Sequence, residues 1–359
     1  MFDGHNDTIL RLELSARLGR PRAFAALDPV RHGGWRERRL DIDLPRARQA
    51  GFAGGLFAMF TPSAMALAGT AVERADKPEE NGAELSNAGV DEGPALVFTM
   101  AMFARLRRLA RALPDDLAVV SDTAGIRAAM AEGRIAMVPH IEGAECIGPD
   151  LSALEILHAA GLRSLGPVWS RANIFGHGAP MAAQPELDPG EGLSDLGRAL
   201  VSTCEAMGIL VDCAHLTERG FWDVAEVTDQ PLVASHSNAH AIAPSARNLT
   251  DKQLDAVAER GGLVGLNFHV AFLRPDCRHN MDTGFDVMLR HVDHLLARLG
   301  EDGVALGSDF DGCMLPRPIN DVTGLTRLVE AMRRHGYGEA LIAKIARDNW
   351  LNLLARVIG

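Results

Sequence analysis

The chain has no CxxC pair. Its five cysteines are scattered and odd in number, which argues against a disulfide framework and against a cysteine zinc knuckle. Excess basic charge is missing too: a formal net charge of −11 argues against a surface that coats nucleic acid. No apolar run reaches the roughly 18 residues needed to span a bilayer, and the best, such as 261–273, falls short. The opening Met-Phe-Asp-Gly-His-Asn-Asp carries no basic n-region, so no secretory leader is expected, and 349–357 reads as an amphipathic helix rather than a lipid-anchor signal. These absences predict a soluble, cytoplasmic protein with no membrane or nucleic-acid partner. HExxH, GxSxG, Walker A and a strand-following GxGxxG are absent as well, which removes the common zincin, serine-hydrolase and nucleotide-binding readings.

What is present is enough apolar material for a large core, 47% of 359 residues. A prior of roughly 150 residues per domain suggests two domains, but an α/β barrel of this length folds as one. Eight short apolar runs read as strands: 1–5, 53–61, 134–141, 163–169, 208–214, 231–235, 262–268 and 303–308. Helical periodicity fills much of the space between them, at 97–112, 151–160, 191–207, 251–259, 283–299 and 322–334. Eight strands alternating with helices predict an α/β fold, a single (β/α)8 TIM barrel over 1–359 of the metal-dependent hydrolase type. Acidic 69–95 and Gly/Pro-rich 171–190 read as loop insertions, the first of which could carry a helix.

The chemistry lies in what ends each run. The first ends in His5-Asn6-Asp7, the third in His140-Ile141-Glu142, the fifth in Asp212-Cys213-Ala214-His215, the sixth in Ser235-His236 and the eighth in Ser308-Asp309. In a parallel barrel all these ends meet at one rim, where such folds carry their active sites. His5 and Asp7 are two apart, so a strand aims both to one side. Three histidines, an Asp and a Glu form a nitrogen and oxygen ligand set suited to zinc, and two ions sharing Glu142 would use all five. A Ser-His-Asp triad on Ser235 or Ser308 would leave Glu142 and Asp7 without a role.

These segments resemble the membrane (renal) dipeptidase family of zinc peptidases, family M19 of the amidohydrolase superfamily. The matching pieces are Asp3-Gly-His5-Asn-Asp7, Ile141-Glu142-Gly143, Val211-Asp-Cys-Ala-His215-Leu-Thr217, Ser235-His236-Ser237-Asn238-Ala239, Ala246-Arg247-Asn248, Gly307-Ser-Asp309-Phe-Asp311-Gly312 and Asp348-Asn349-Trp350-Leu351, in family order along the whole chain. The resemblance implies a binuclear zinc site, with His5 and Asp7 on one ion, His215 and His236 on the other, and Glu142 bridging. It implies a hydroxide between the ions as nucleophile toward a dipeptide, one with a D-residue at the C-terminal position included. Arg247 would take the substrate's carboxylate and Asp309 would carry the proton. A homodimer is expected from the family alone.

Two positions depart from the family pattern. Trp169 stands where better-known members carry a histidine that polarises the scissile carbonyl, and His269 stands where relatives often carry an aromatic hydroxyl. Both are expected to line an altered substrate pocket, with His177 a candidate helper. Of the remaining candidates, His140 reads as a buried hydrogen-bonding residue and Glu145 as a weaker substitute for Glu142. Asp311 reads as a loop-positioning residue, Asp212 as either a support for a ligand or a buried structural pair, and His240 as peripheral. The departures keep two alternatives open: an amidohydrolase for another small amide, such as an N-acyl amino acid, and a non-catalytic metal-stabilised scaffold.

Overall fold

The computed structural model describes residues 1–19, 21–26, 39–63, 89–184, 186 and 188–359. Nine strands occur among them: β1 Phe2–Asn6, β2 Gly54–Phe60, β3 Leu117–Val119, β4 Ile135–Glu142, β5 Ser164–Gly166, β6 Leu210–Val211, β7 Val233–Ala234, β8 Leu263–Leu266 and β9 Val304–Leu306. They pair in parallel in the orders β1-β2-β4-β5-β6 and β7-β8-β9. Single parallel bridges at Asp212–Val233 and Asn6–Phe310 join the two sheets on both sides. The result is a closed ring of eight strands, the TIM barrel expected. β3 is outside the ring and outside the sequence reading; it pairs with the first residues of β4, Leu117 opposite Ile135.

The strands are buried on both faces, as every residue of β4 is, because helices cover the outside and side chains fill the inside. The helices begin where a side chain can accept a free amide. Asp43, Asp122, Ser194, Thr217 and Thr250 each do so at an N-terminus, worth about 1 kcal/mol apiece. Helix Asp251–Glu259 matches its expected bounds, helped by a reciprocal cap between Thr250 and Gln253. Helices Thr8–Arg17, Thr123–Ala131 and Glu218–Val227 were not anticipated. The expected insertion at 69–95 lies outside the described residues up to 88, and its last residues open the helix Glu92–Ala112. The excursion at 171–190 folds back through bridges Asn173–Gly176 and Gly178–Leu216, the latter next to His215.

One end of the ring is plugged. Trp350, on the helix Asn349–Val357, donates from its indole nitrogen to Leu306 O at 2.8 Å. The same ring lies against Gly4, where any Cβ would collide with it. Phe2, Leu56, Val138, Leu210, Val233 and Ala305 pack with Trp350 in one buried cluster. Polar chemistry is thereby left to the other end, where the strands finish. Among the described residues no helix is long and apolar enough to cross a membrane.

Candidate active site

Five residues from four strand ends meet at the open rim. His5 lies in β1 with Asp7 just beyond it, Glu142 is the last residue of β4, His236 follows β7, and His215 sits in the turn after β6. All five are buried, none more than 5% exposed. Three imidazole nitrogens converge on one carboxylate oxygen, Glu142 Oε1: His215 Nε2 at 2.8 Å, His236 Nε2 at 3.4 Å and His5 Nε2 at 3.6 Å. His5 Nε2 is also 3.6 Å from Asp7 Oδ2.

That convergence is poorly satisfied by the protein alone. Both ring nitrogens of His5 and Oδ1 of Asp7 have no hydrogen-bond partner among the described residues. Buried polar atoms are normally paired, so the orphans mark a place for something else. The electrostatics agree. Burial disfavours a charged His5, yet Glu142 and Asp7 outweigh it and push that imidazole up to about 10. Burial, followed by the positive charges of Arg247 and His5, holds His215 and His236 well below their ordinary value, so both are neutral. The cluster therefore draws positive charge while keeping two imidazoles unprotonated. His5, Asp7 and Glu142 form one set able to hold a metal ion, and Glu142, His215 and His236 form another. The donor set fits a divalent metal of zinc type.

Asp309 stands at the edge of this group, in the turn after β9, and accepts from Asn267 Nδ2 at 3.2 Å. Burial raises its carboxyl, with Asp7 adding to the rise and His5 opposing it. Its φ of +59° and the +69° of His215 are left-handed, as is the +67° of Asp311. Such backbone costs on the order of 1 kcal/mol or more per residue outside glycine, and Asp and His are among the side chains that adopt it most often. The turn closes on Gly312, where a Cβ would overlap Asp7 Oδ2 and stand 2.5 Å from Asp309 Oδ1. Gly312 thus lets two carboxylates approach. Sequence reasoning quoted it only as part of a motif, and nothing local to the chain announces its role. Asn267 is a further residue of this rim: the apolar run of the sequence extends to 268, but β8 stops at Leu266 and leaves Asn267 at the strand end. The rule that picked out the other rim residues would have found it.

Arg247 is 3% exposed and has no ion-pair partner among the described residues. It reaches His236 O at 3.4 Å, stacks 5.4 Å from the Phe272 ring centre, and leaves its Nε without a partner. Burial lowers it to about 10, so it stays charged near neutral pH. His269 packs on Phe272 with ring centres 4.6 Å apart and accepts the Met314 amide at Nδ1 (3.2 Å). Trp169 is half-buried, 4.9 Å from Phe60 and 5.6 Å from His215 between ring centres, with the Arg171 guanidinium over it.

Four of the other candidates have partners elsewhere. His177 pairs with Glu191 at 2.9 Å on the loop, half exposed. Glu145 is taken by buried Arg171 at 2.6 Å, His240 by Gln184 O at 2.8 Å, and Asp311 by the Asp41 amide and the Thr8 hydroxyl, both at 2.8 Å. His140 is fully buried and hydrogen-bonds Ser164 Oγ at 2.8 Å. None of the five cysteines forms a disulfide, and none belongs to a potential metal-holding group among the described residues.

Comparison with known proteins points to one family. The profile of a family described as membrane dipeptidase (peptidase family M19) matches residues 1–358. The chain is 44% identical to a solved metallopeptidase of family M19 described as dipeptidase AC, with a TM-score of 0.86 over 100% of this chain and 98% of that one. It is 43% identical to a metallopeptidase from Rhodobacter sphaeroides, solved with a phosphinate mimic of the dipeptide L-Ala-D-Ala, with a TM-score of 0.86 over 99% and 98%. A Klebsiella pneumoniae relative, described as an uncharacterized protein in the pqqA 5′ region, is 46% identical over 223 residues, 62% of this chain and 82% of that protein.

Proposed function

The chain belongs to the membrane dipeptidase family, peptidase family M19, and is a metallo-dipeptidase; from that premise we propose how its own residues divide the work. The reading rests above all on the three imidazole nitrogens facing one oxygen of Glu142 beside unpartnered atoms of His5 and Asp7. His5 and Asp7 would hold one zinc ion, His215 and His236 a second, and Glu142 would be shared. When bound, the ions supply Lewis acidity and make water nucleophilic near neutral pH.

The protein's own groups do the rest. Asp309 takes the proton of the attacking water at its carboxylate and hands it to the departing amine. Its raised carboxyl suits that exchange, because a group that accepts and then returns a proton works best near the ambient pH. Arg247 presents a planar fork to the substrate's C-terminal carboxylate, which supplies the negative partner the buried guanidinium lacks. With that carboxylate held in a buried pocket, the chain beyond the second residue has nowhere to run, and dipeptide length follows. His269 accepts at Nδ1, so its neutral ring carries the proton at Nε2 and offers a donor beside Arg247. Trp169 has one N–H and cannot switch between acid and base, so it shapes the pocket wall and orients the substrate.

The mimic bound by the Rhodobacter sphaeroides relative supports substrates with a D-residue at the second position. Five cysteines without a disulfide among them favour a reducing, cytoplasmic setting. The test is metal analysis of the purified protein together with a ninhydrin screen of a dipeptide library that includes D-residues at position two. Bound zinc with turnover of dipeptides is expected. Metal without cleavage of any dipeptide overturns the assignment.

A further inference from the structure

Two of the proposed ligands, His215 and His236, aim Nε2 at Glu142 and are held from behind at Nδ1, but by different devices. His215 Nδ1 is 2.8 Å from Ser170 Oγ, and His236 Nδ1 is 2.7 Å from Ser235 Oγ. A hydroxyl can donate or accept, so Ser170 orients its imidazole without choosing which nitrogen carries the proton. Ser235 has no such freedom. Its single proton goes to Asp212 Oδ2 at 2.5 Å. Asp212 is 1% exposed, and its other oxygen accepts from the Ser235 amide at 2.8 Å and the Ala214 amide at 3.0 Å.

We infer that Asp212, acting through Ser235, is a positioning residue that fixes the tautomer of His236. With the Ser235 proton committed to Asp212, Ser235 Oγ faces His236 as an acceptor only. His236 Nδ1 must then be the protonated nitrogen, and Nε2 keeps its lone pair toward Glu142. Metal ligation needs that lone pair, and fixing it through the far nitrogen is how outer groups raise a histidine's competence as a ligand. The inference rests on the reading of His236 as a zinc ligand.

Proton bookkeeping makes an unusual prediction for Asp212→Asn. The two backbone amides keep the amide oxygen where Oδ1 now sits, so the NH₂ takes the place of Oδ2. It donates to Ser235 Oγ, and the Ser235 proton turns toward His236 Nδ1. The imidazole then carries its proton at Nε2, the wrong nitrogen for a metal. Ser235→Ala only removes the constraint, and a metal can still select the competent tautomer. The near-isosteric variant should therefore do more harm than the truncation, the reverse of what a packing role would give.

The experiment is zinc affinity by chelator competition for wild type, D212N and S235A. It is paired with long-range ¹H–¹⁵N spectra of metal-free, ¹⁵N-histidine-labelled protein, in which His236 is assigned by difference against H236Q. D212N should lose roughly 10–100-fold in zinc affinity and move the His236 proton to Nε2. S235A should lose less and show mixed tautomers. If D212N does not fold, S235A decides: wild-type affinity with an unchanged spectrum overturns the inference. Zinc uptake by wild type with equal affinity and the same tautomer in D212N overturns the inference alone. A wild-type chain that takes up no zinc overturns the ligand reading, and the inference falls with it.

Discussion

Gly312→Ala adds one methyl group to the rim and should cost more activity than most larger changes elsewhere. The new Cβ would overlap Asp7 Oδ2 and lie 2.5 Å from Asp309 Oδ1, against the roughly 3.5 Å at which such atoms rest. A shift of one carboxylate cannot relieve both contacts, because they come from different strands and Asp309 sits in a left-handed turn with little slack. Displacing groups by about 1 Å at a reacting centre costs on the order of 100-fold in rate, or about 2.7 kcal/mol of barrier. Overpacking a tight site costs about 1–3 kcal/mol of stability. The variant should therefore fold, melt earlier than wild type, and show kcat/KM on a dipeptide reduced by roughly two orders of magnitude. Zinc content measured in parallel should fall as well, since Asp7 is among the displaced groups. A Gly312→Ala enzyme with kcat/KM within about threefold of wild type would refute the claim that Asp7 and Asp309 need that space.

Three further outcomes follow from groups already described. Arg247→Ala should raise KM for dipeptides by roughly 30-fold or more, the loss of about 2 kcal/mol or more of charge-assisted bonding, while zinc content is retained; unchanged KM in steady-state kinetics sinks the carboxylate assignment. Asp311 has its carboxyl raised by burial and by Asp41, so the folded chain keeps a proton that the unfolded chain gives up. Stability is then lost as pH rises from the ordinary carboxylate range toward the raised value. In metal-free protein, Asp311→Asn should look progressively better relative to wild type between about pH 4 and 7; denaturation showing a constant difference would remove that account. His177→Ala should leave kcat/KM within about twofold, since its partner is an exposed Glu191 and such pairs contribute little.

Much of the barrel could be read from the chain because parallel strands buried on both faces are simple apolar runs, and polar residues that interrupt them stand out. β1 is five residues long and persuasive only because of the His5 and Asp7 at its end. β3 escaped because Leu117–Val119 is too short to register, and the helix Thr8–Arg17 escaped because it buries Arg11, Glu13 and Ser15 among its apolar residues, which blurs the helical period. The rim residues His5, Asp7, Glu142, His215 and His236 were legible for the same reason as the strands. What was not legible depends on approach in space. The space that Gly312 leaves for Asp7 joins residues from opposite ends of the chain, and the hydrogen-bond chain from Asp212 through Ser235 to His236 needs bond directions that no spacing reveals.

The joining of first and last strands carries a consequence for how the protein is made. The Ser308 amide and hydroxyl both bond to Asp3, 305 residues away in sequence, and Asp309 N reaches His5 O across the same seam. Contacts so distant form late, because a very long loop must close before they return anything. During synthesis, His5 and Asp7 leave the ribosome long before the segment bearing Asp309 and Trp350, so the two sides of the seam cannot meet until that segment has emerged. A nascent chain that stops short of that segment thus has an open seam and a rim without Asp309, so the barrel and its candidate site close in the same late step.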